Sequence, residues 1–450
     1  MTAARRERSS FAVGLLLIAL AALTIRVLFV VVVDPEVPRI GDASAYHLLA
    51  ENLAGGNGYI RPFDKELLGE TRATAEYPPL FPSVVAVPAF VGVHSVEGQR
   101  LFVAFIGAGT VVLIGLLGRR LGGDSCGLLA GGIAACYPML FLGEATLMAE
   151  SLSVPLATGV ILLAYRLIDR PSIARAVALG AGLGLLTLAR AEGLLLGVVL
   201  LIGLGWRLRA VALRQRLFLA TAALGVMLCL VAPWTVRNAI RLHAFVPVSN
   251  NVATLVDGAN CDWVYSGHHV GLWRETFSTF GADARTRSQA EACFEGFAIE
   301  DPGFDEAEVA SNHRRDGTDY AQHHIGSLPK VAVARVLRTW ALFAPRQQVN
   351  FESLEGRPRD WQMAGTVMFW VLLPFAIGGL VLLARRRIPV WPLHATVITV
   401  TVVAALTYGQ QRFRINAEPV IVACAALAIV ALVMRLRARY TRSDPPHRPG

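Results

Sequence analysis

The chain has 450 residues, of which 54% are hydrophobic and only 17% charged, and this composition excludes an ordinary water-soluble protein. A mean hydropathy of +0.51 agrees with that exclusion. The formal charge of +9 could indicate a nucleic-acid partner, but the basic residues stand in short clusters at the ends of apolar runs. Membrane proteins place their cytoplasmic arginines there, so we interpret the charge as topology and predict an integral membrane protein.

The first apolar run, at residues 11–33, follows three arginines within residues 5–8. It is longer than the core of a signal peptide and no small-residue cleavage site follows it, so we predict a retained helix with a cytoplasmic N-terminus. Residues 34–98 then form the first outside loop. Within this loop, residues 80–93 are apolar but short and interrupted by prolines, which favours a re-entrant or interfacial segment.

Nine further apolar runs follow, and each is near the ~20 residues that a bilayer-spanning helix needs. They lie near 99–118, 126–143, 150–168, 173–189, 193–206, 217–235, 363–384, 390–408 and 418–434. The pattern predicts an all-α polytopic membrane protein of about ten helices with both termini in the cytoplasm. Short turns leave that count open by about one or two.

Hydropathy also divides the chain into three parts. Residues 1–236 form an N-terminal transmembrane module, residues 237–362 a mixed extracytoplasmic domain, and residues 363–450 the last helices with a basic cytoplasmic tail.

Polar residues collect in the outward turns of this topology. They are Asp42, Glu76, Glu144, Glu150, Arg190, Glu192, Arg237, Asn238, Arg412, Arg414 and Glu418. Ionisable groups near the hydrocarbon are costly unless they have a use or a partner. Because guanidinium groups pair well with phosphate oxygens, carboxylates and arginines at one surface indicate a site for an anionic, lipid-borne substrate. The alternative for each residue is a helix-end or interfacial anchor.

Several stretches together resemble the GT-C membrane glycosyltransferases. They are GDASAYHLLAENLAGGNGY from residue 41, EYPPLFP from 76, LARAEG from 188, PWTVRNAIRLHAFVPVSNNVATLVDGAN from 233 and QQRFRINAEP from 410. Within that superfamily the chain is similar to the branch of protein O-mannosyltransferases and the aminoarabinose transferase of lipid A. The likeness covers residues 11–260 and 363–434, and it depends on the order of the motifs and their common side of the membrane.

The resemblance implies a transferase that moves a sugar from a polyprenyl monophosphate carrier to an acceptor outside the cytoplasm, with inversion at the anomeric carbon. Relatives use an acidic residue of the first outside loop as general base, and the matching position is Asp42. A second acidic residue is common in or near that loop, and Glu76 is the nearest match. No DE or DD pair stands at the first position, so the division of labour between Asp42 and Glu76 stays open.

The chemistry fits these residue types independently of the resemblance. A positioned carboxylate that takes the proton of an acceptor hydroxyl contributes ~10²- to 10⁴-fold in rate. A phosphate leaving group needs positive charge rather than a general acid, and only one catalytic carboxylate is required. Our candidates for that charge are Arg237, Arg412 and Arg414, with Arg190 and Lys65 as secondary candidates. Tyr46 follows Asp42 by one helical turn, so it would orient Asp42, contact the sugar or anchor at the interface.

The extracytoplasmic domain contains Cys261 and Cys293, which are the only cysteines predicted in an oxidising compartment, so we predict a disulfide between them. The other four cysteines fall in predicted spans, where we expect buried apolar positions. Five histidines at 268, 269, 313, 323 and 324 have no accompanying metal-binding motif, so we predict neither a metal nor a cofactor. Residues 329–345 predict a surface helix whose arginines lie opposite its apolar face.

Two other classes of function remain as alternatives. A transporter or flippase of a lipid-linked or anionic substrate would also show intramembrane charges, although internal repeats and midplane charges, which it should have, are not evident. A non-catalytic membrane scaffold would tolerate loss of Asp42. For the enzyme, the predicted partners are a polyprenyl-phosphate sugar, an extracytoplasmic acceptor and the lipid bilayer, in the cell membrane with the site on its outer face. No nucleic acid is expected.

Overall fold

The computed structural model describes residues 2–33, 35, 37–38, 41–208, 211–274 and 304–443. Within these ranges the regular structure is helical, apart from a single antiparallel bridge between Ile60 and Ala73. The predicted all-α class is therefore confirmed. In the region predicted as a mixed domain, the described residues form only helices and turns.

The helices are numbered here in chain order. They are α1 (Thr2–Leu28), α2 (Asp42–Ala54), α3 (Pro62–Leu68), α4 (Leu80–Phe90), α5 (Val96–Gly122), α6 (Asp124–Cys136), α7 (Pro138–Ala145), α8 (Glu150–Asp169), α9 (Ile173–Ala189), α10 (Gly193–Arg207), α11 (Leu213–Leu242), α12 (Asn251–Gly258), α13 (Asp262–Tyr265), α14 (Glu306–His323), α15 (Leu328–Thr339), α16 (Pro345–Ser353), α17 (Arg359–Arg385), α18 (Trp391–Leu406) and α19 (Glu418–Ser443). A π-helical turn at Phe29–Val33 extends α1, and a 3₁₀ helix at Gln411–Ala417 leads into α19.

Six of the described helices are long and apolar enough to cross a bilayer: those with cores at Ser9–Val33, Val96–Gly122, Glu150–Asp169, Leu213–Leu242, Arg359–Arg385 and Gln411–Arg439. Helices α6 and α7 make a seventh if they are one span bent by 47°. The bend falls at Tyr137 and Pro138, because proline lacks the N–H that would continue the helix. The protein is thus a multi-pass membrane protein.

Helices α9, α10 and α18 are apolar but have only 17, 15 and 16 residues. At 1.5 Å per residue they reach about 22 to 26 Å, short of the ~30 Å hydrocarbon core. All ten predicted spans therefore occur as helices or as the bent pair, while the count of ten full crossings stays a prediction.

Small residues let the membrane helices approach closely. A Cβ built on Gly180 of α9 would lie 2.2 Å from the carbonyl oxygen of Ala223 on α11, and one built on Gly379 of α17 would lie 2.0 Å from that of Cys424 on α19. Only glycine fits at such contacts, and small residues are the usual device for packing helices in lipid.

An ion pair inside the bundle joins Arg26 on α1 to Glu144 on α7 at 2.7 Å. The Arg26 side chain is 1% exposed and the Glu144 side chain 4%. A Cβ on Gly107 of α5 would fall about 2.1 Å from the Glu144 carboxylate, so a larger residue there would displace that carboxylate. Glu144, which the sequence places in the outward polar cluster, lines a cavity together with Glu150, and its buried carboxylate is paired with Arg26.

The loop predicted to lie outside, residues 34–98, folds back onto the bundle in its described part. Helices α2 and α4 pack together around Tyr46, Tyr77 and Phe81, and Leu147 from the turn before α8 joins the same hydrophobic cluster. Helix α4 has 11 residues, or about 16 Å, so it does not cross the membrane. The start of α2 is thereby fixed over the end of the helical bundle.

Helices α12 to α16 pack over the loop before α19. Their hydrophobic cluster includes Tyr265, Val331, Tyr408 and Phe413. This packing holds the 408–413 loop beside residues 34–98, where Arg412 contacts Asp42.

The predicted orientation of the arginines on α15 is wrong. Arg335 and Arg338 are buried on the same face as Val331, since these residues lie four and three positions apart. The guanidinium of Arg335 donates to the backbone carbonyl of Ala405, and that of Arg338 donates to Val270. Arg335 thus connects α15 to α18, and Arg338 connects α15 to the segment after α13, instead of facing solvent.

Cysteine burial also differs in part from the expectation. Cys126 and Cys424 are buried free thiols, whereas Cys136 and Cys229 are exposed on their helices. A span in a bundle has an outer face as well as a packed one, so a position inside a predicted span does not imply burial.

Candidate active site

Asp42 is the first residue of α2 and follows Gly41, whose φ of 144° is open to glycine but rarely to other residues. Both carboxylate oxygens have a donor. The hydroxyl of Tyr77 donates to Oδ1 at 3.0 Å, and Nη1 of Arg412 donates to Oδ2 at 2.9 Å. The Asp42 side chain is still 25% exposed, so a small molecule can reach it.

Arg412 comes from the 3₁₀ helix before α19, 370 residues along the chain from Asp42. Its Nη1 is shared between Asp42 and Oε1 of Glu355 at 3.0 Å, and its Nε donates to Oε1 of Gln410 at 2.9 Å. Glu352 accepts the backbone N–H of Arg412 at 2.9 Å. The Tyr408 hydroxyl also lies beside this guanidinium. Among the described residues no carboxylate or carbonyl pairs with Nη2, so we take this nitrogen as the one that would bind a ligand.

A second arginine is joined to the first through Glu150, at the start of α8. Oε1 of Glu150 lies 2.7 Å from Nη1 of Arg190 and 4.0 Å from Nε of Arg412. Nε of Arg190 is 2.5 Å from Glu192, and its Nη2 has no acceptor within the described ranges. The buried carboxylate of Glu150 lies between the two guanidiniums of Arg190 and Arg412. In each guanidinium, Nη2 takes no part in an ion pair within the described ranges.

Four turns far apart in sequence therefore meet at one end of the bundle. The sequence placed Asp42, Arg190 and Arg412 on one surface, and the structure brings them into one connected network. At the other end of α5 and α8, Arg120 pairs with Asp169 at 2.6 Å.

Glu76 lies next to Tyr77, but its carboxylate is not joined to Asp42. Its backbone carbonyl accepts from Ser249, while no hydrogen bond or ion pair in the described part of the chain reaches the side-chain oxygens. Burial raises the pKa of Glu76 to about 7, against the opposing charge of Arg61 and with help from the charge of Glu306. It is a carboxyl group that titrates near neutrality beside the site.

Glu355 was not singled out from the sequence. It follows α16, and burial raises the pKa of Glu355 to about 7, with Arg412 opposing that shift and Glu352 adding to it. The neighbouring residues in FESLEGRP carry no motif, so no local signal distinguishes this glutamate from others in the domain. Tyr77 was missed too, although it lies within the quoted EYPPLFP stretch.

Tyr46 was predicted to orient Asp42 or contact the sugar. Its ring instead meets the rings of Tyr77 and Phe81 edge-on, with centroids 5.0 and 4.9 Å away. Burial raises the pKa of Tyr46 well above its usual value. Tyr77, not Tyr46, is the tyrosine that holds Asp42.

Three predicted phosphate-binding residues are not brought into the network. Arg237 donates to the backbone carbonyls of Thr74 and Tyr59 at 2.6 Å each, and so pins the first loop. Arg414 is fully buried in an ion pair with Glu418. Lys65 lies on α3, is half-buried and makes no ion pair in the part of the chain that the structure describes.

The disulfide and metal predictions concern residues that the structure describes only in part. Cys261 is disulfide-bonded, but Cys293 lies outside the described residues, so the pairing stays a prediction. His313 pairs with Asp257 at 2.7 Å, and the described ranges contain no group of three His, Cys, Asp or Glu that could hold a metal ion.

Comparison with known proteins adds a partial family match. Residues 76–236 match the family model of dolichyl-phosphate-mannose-protein mannosyltransferases. That segment includes Glu76, Tyr77, Glu150 and Arg190, but neither Asp42 nor Arg412. No curated protein sequence matches the chain.

The fold has solved relatives. The oligosaccharyltransferase AglB from Archaeoglobus fulgidus, in complex with an inhibitory peptide and a dolichol-phosphate, is similar with a TM-score of 0.54 and 15% identity over 98% of this chain and 53% of that one. The apo form of the A. fulgidus enzyme gives a TM-score of 0.53 and 14% identity over 96% and 51%. The chain has the GT-C fold. ArnT from Cupriavidus metallidurans bound to undecaprenyl phosphate is a more distant match, with a TM-score of 0.44 and 16% identity over 98% and 82%.

This chain spans about half the length of the oligosaccharyltransferase chains that it matches. At 13 to 15% identity the likeness to the oligosaccharyltransferase establishes the fold and nothing about substrates. What the site does has to be argued from its own residues.

Proposed function

We propose that the protein is an inverting glycosyltransferase that moves a sugar from a polyprenyl-monophosphate carrier to an acceptor hydroxyl outside the cytoplasm, with Asp42 as general base. The observation that carries the proposal is the shared contact of Asp42 and Arg412. One exposed carboxylate is oriented on both oxygens, and Nη2 of the guanidinium beside it pairs with no carboxylate or carbonyl of the described residues. The site thus contains both a base and an anion-binding group, and this reaction requires both.

The base acts on the acceptor. Asp42 takes the proton of the hydroxyl while the hydroxyl oxygen bonds to the anomeric carbon from the face opposite the phosphate. The bond between that carbon and the phosphate oxygen breaks, and the phosphate keeps the electron pair. Attack from the opposite face inverts the configuration, and one carboxylate is sufficient.

The guanidinium acts on the leaving group. Before reaction the charge of Arg412 is partly balanced by Asp42 at 2.9 Å. When Asp42 is protonated, that balance is lost as negative charge develops on the phosphate. Arg412 therefore stabilises the transition state more than the ground state, which is the condition for catalysis. Arg190, held through Glu150, supplies the second positive charge.

The comparisons support the proposed donor class, and the arginines around the bundle support the proposed side of the membrane. The family model is named for dolichyl-phosphate-mannose donors, and the A. fulgidus enzyme was solved with a dolichol-phosphate. These support a polyprenyl-phosphate hexose or pentose as donor. Clusters of arginine at the opposite end of the bundle, Arg119 and Arg120 among them, support a cytoplasmic side there and an outer face for the site.

A transfer assay tests the proposal. Membranes containing wild-type protein, Asp42→Asn or Asp316→Asn are incubated with a panel of radiolabelled polyprenyl-phosphate sugars and total envelope acceptors. Asp316 is a matched control, because its carboxylate is 61% exposed and pairs only with its neighbour Arg315. We expect transfer by the wild type and by Asp316→Asn, loss of transfer in Asp42→Asn, and a product of inverted configuration. A retained configuration, or transfer that persists in Asp42→Asn, would remove the proposed mechanism.

A further inference from the structure

Glu355 contacts the guanidinium of Arg412 beside Asp42. Its Oε1 lies 3.0 Å from Nη1 of Arg412, the same nitrogen that contacts Asp42 at 2.9 Å. Oε1 also accepts from Nε2 of Gln410 at 3.3 Å. Two carboxylates therefore share a single nitrogen of the guanidinium expected to bind phosphate.

The second oxygen of Glu355 is different. Oε2 is buried and has no hydrogen-bond partner. A charged carboxylate with one oxygen sealed from water and from donors is unfavourable. A proton on Oε2 removes that cost and converts the oxygen into a donor, while Oε1 keeps its contact with Arg412.

The charge balance of the site points the same way. Within the described residues, Asp42, Glu150, Glu192 and Glu355 pair with two guanidiniums, those of Arg190 and Arg412, and the charge of Arg357 also acts on Glu150 and Glu355. Glu352 and Arg357, which also face Glu355, form their own pair at 3.1 Å, and Tyr408 from the preceding loop adds no charge when protonated. A further anion would enter a site that already has an excess of negative charge if every carboxyl is ionised.

We propose that Glu355 must be a neutral acid for the donor to bind: a proton on the buried Oε2 removes the negative charge that would repel the phosphate, while Oε1 holds Arg412 in place. Glu355 is thus a residue that controls donor binding, and neither the motifs nor the family match contains it, since residue 355 lies beyond residues 76–236. The inference depends on the proposed function, because it requires a phosphate-linked donor at Arg412. It deepens that function by making donor affinity depend on a proton that the enzyme supplies.

The affinity for the donor should fall as the pH rises, because Glu355 loses its proton. Burial raises the pKa of Glu355 to about 7, so the group is mostly neutral at pH 6.5 and mostly charged at pH 8.5. If only the neutral form binds the donor, the apparent affinity falls by about 25-fold between these two values. The glutamine variant resembles the neutral acid and carries no charge, so its affinity should stay high at both values.

Direct binding measures this without requiring the natural sugar. The probe is a short-chain polyprenyl phosphomannose, a phosphodiester whose own charge is constant between pH 6.5 and 8.5. Full-length wild type, Glu355→Gln and Glu66→Gln are compared in detergent, and their thermal unfolding is recorded alongside. Glu66 is the matched control, because it is exposed on α3 and has no ion pair within the described ranges.

We expect the wild type and Glu66→Gln to lose about 25-fold in affinity at pH 8.5, and Glu355→Gln to bind at both pH values as tightly as the wild type does at pH 6.5. A wild type without pH dependence, or a Glu355→Gln variant with the same loss as the wild type, would overturn the inference and leave the proposed function standing. Absence of probe binding at either pH would overturn both. If Glu355→Gln unfolds, Glu355→Asp, which retains an acid with a shorter reach, should keep the pH dependence with weaker binding at pH 6.5, and a flat profile there contradicts the inference.

Discussion

Arg412 and Arg414 lie two residues apart in the same 3₁₀ helix, yet their side chains serve opposite purposes. Arg414 is fully buried, pairs with Glu418 and stands 3.7 Å from the ring centroid of Phe369. Arg412 has an 11% exposed side chain and faces Asp42, Glu150 and Glu355. With three residues per turn, positions two apart point to different sides of such a helix.

The comparison separates stability from function. Arg414 donates through Nη1 to the carbonyl of Thr339 at 3.0 Å, and Tyr137 donates to Glu418 at 3.0 Å. Nη2 of Arg414 has no hydrogen-bond partner, but it is buried inside the protein. The side chain of Arg412 is 11% exposed and lies beside the accessible Asp42. A guanidinium buried inside the protein supports the fold, whereas one at an accessible carboxylate is suited to chemistry.

The largest effect should come from Arg414→Met, which leaves Glu418 as an unpaired buried charge. We expect a loss of about 3 to 5 kcal/mol in the free energy of unfolding, measured by denaturation in detergent. The double variant Arg414→Met with Glu418→Gln should recover part of that loss. A single variant as stable as the wild type would contradict the structural role given to Arg414.

Arg412→Ala should act on the reaction instead. Loss of one donor to the developing phosphate charge should slow transfer by about 10²- to 10³-fold. The free energy of unfolding should change less than in Arg414→Met, because Asp42 is 25% exposed and Glu355 takes up a proton near neutrality. The transfer rate and the free energy of unfolding are measured for both variants. If Arg412→Ala loses stability and Arg414→Met loses only rate, the distinction between the two arginines is wrong.

Tyr77→Phe should leave the carboxylate of Asp42 less well oriented, without changing how the phosphate binds. A hydrogen bond to a charged group contributes ~1.5 kcal/mol or more, so kcat should fall by about tenfold while the KM for the donor stays unchanged. Tyr46→Phe is the control, since the hydroxyl of Tyr46 makes no hydrogen bond within the described ranges and its ring packs against the same residues. Equal effects of both substitutions would show that ring packing, not the contact of Tyr77 with Asp42, is responsible.

The smallest effect concerns Glu76, beside the network but not in it. Because burial raises its pKa from 4.5 to about 7, the stability that its neutral form gives is fully present below pH 4.5 and lost as the pH rises through 7. Glu76→Gln should therefore raise the free energy of unfolding at pH 8, by about 1 to 2 kcal/mol, and leave it unchanged at pH 4.5. Unfolding curves at the two pH values measure the difference, and a variant that is less stable at pH 8 would show that the ionised group has a stabilising partner.

Hydropathy predicted the helices well, because the bilayer imposes a simple rule on length and polarity. All ten predicted spans are helical, including the bent pair at Pro138. The short α4 was likewise expected from its prolines. Burial within a span was not predictable, as exposed Cys136 and buried Cys126 show, because one sequence does not reveal which face packs against a neighbour.

The site was predictable only where local motif and topology agreed. Asp42 directly follows the first apolar run, and Arg412 lies in the last outward turn, so both were placed on one surface from sequence. Arg414 shares the 3₁₀ helix of Arg412, and Arg237 lies near the end of α11, but both donate to protein groups because of the direction of their side chains. Glu355 depends entirely on how the domain helices pack against the 408–413 loop, and no local pattern encodes that contact.

We propose that Asp42 performs the proton transfer and that Arg412 binds the phosphate. Single-turnover transfer and donor binding, measured separately on Asp42→Asn, test it most directly. We predict donor affinity within about threefold of the wild type, and a chemical step slowed by about 10²- to 10⁴-fold. A chemical step at the wild-type rate in Asp42→Asn would contradict the account.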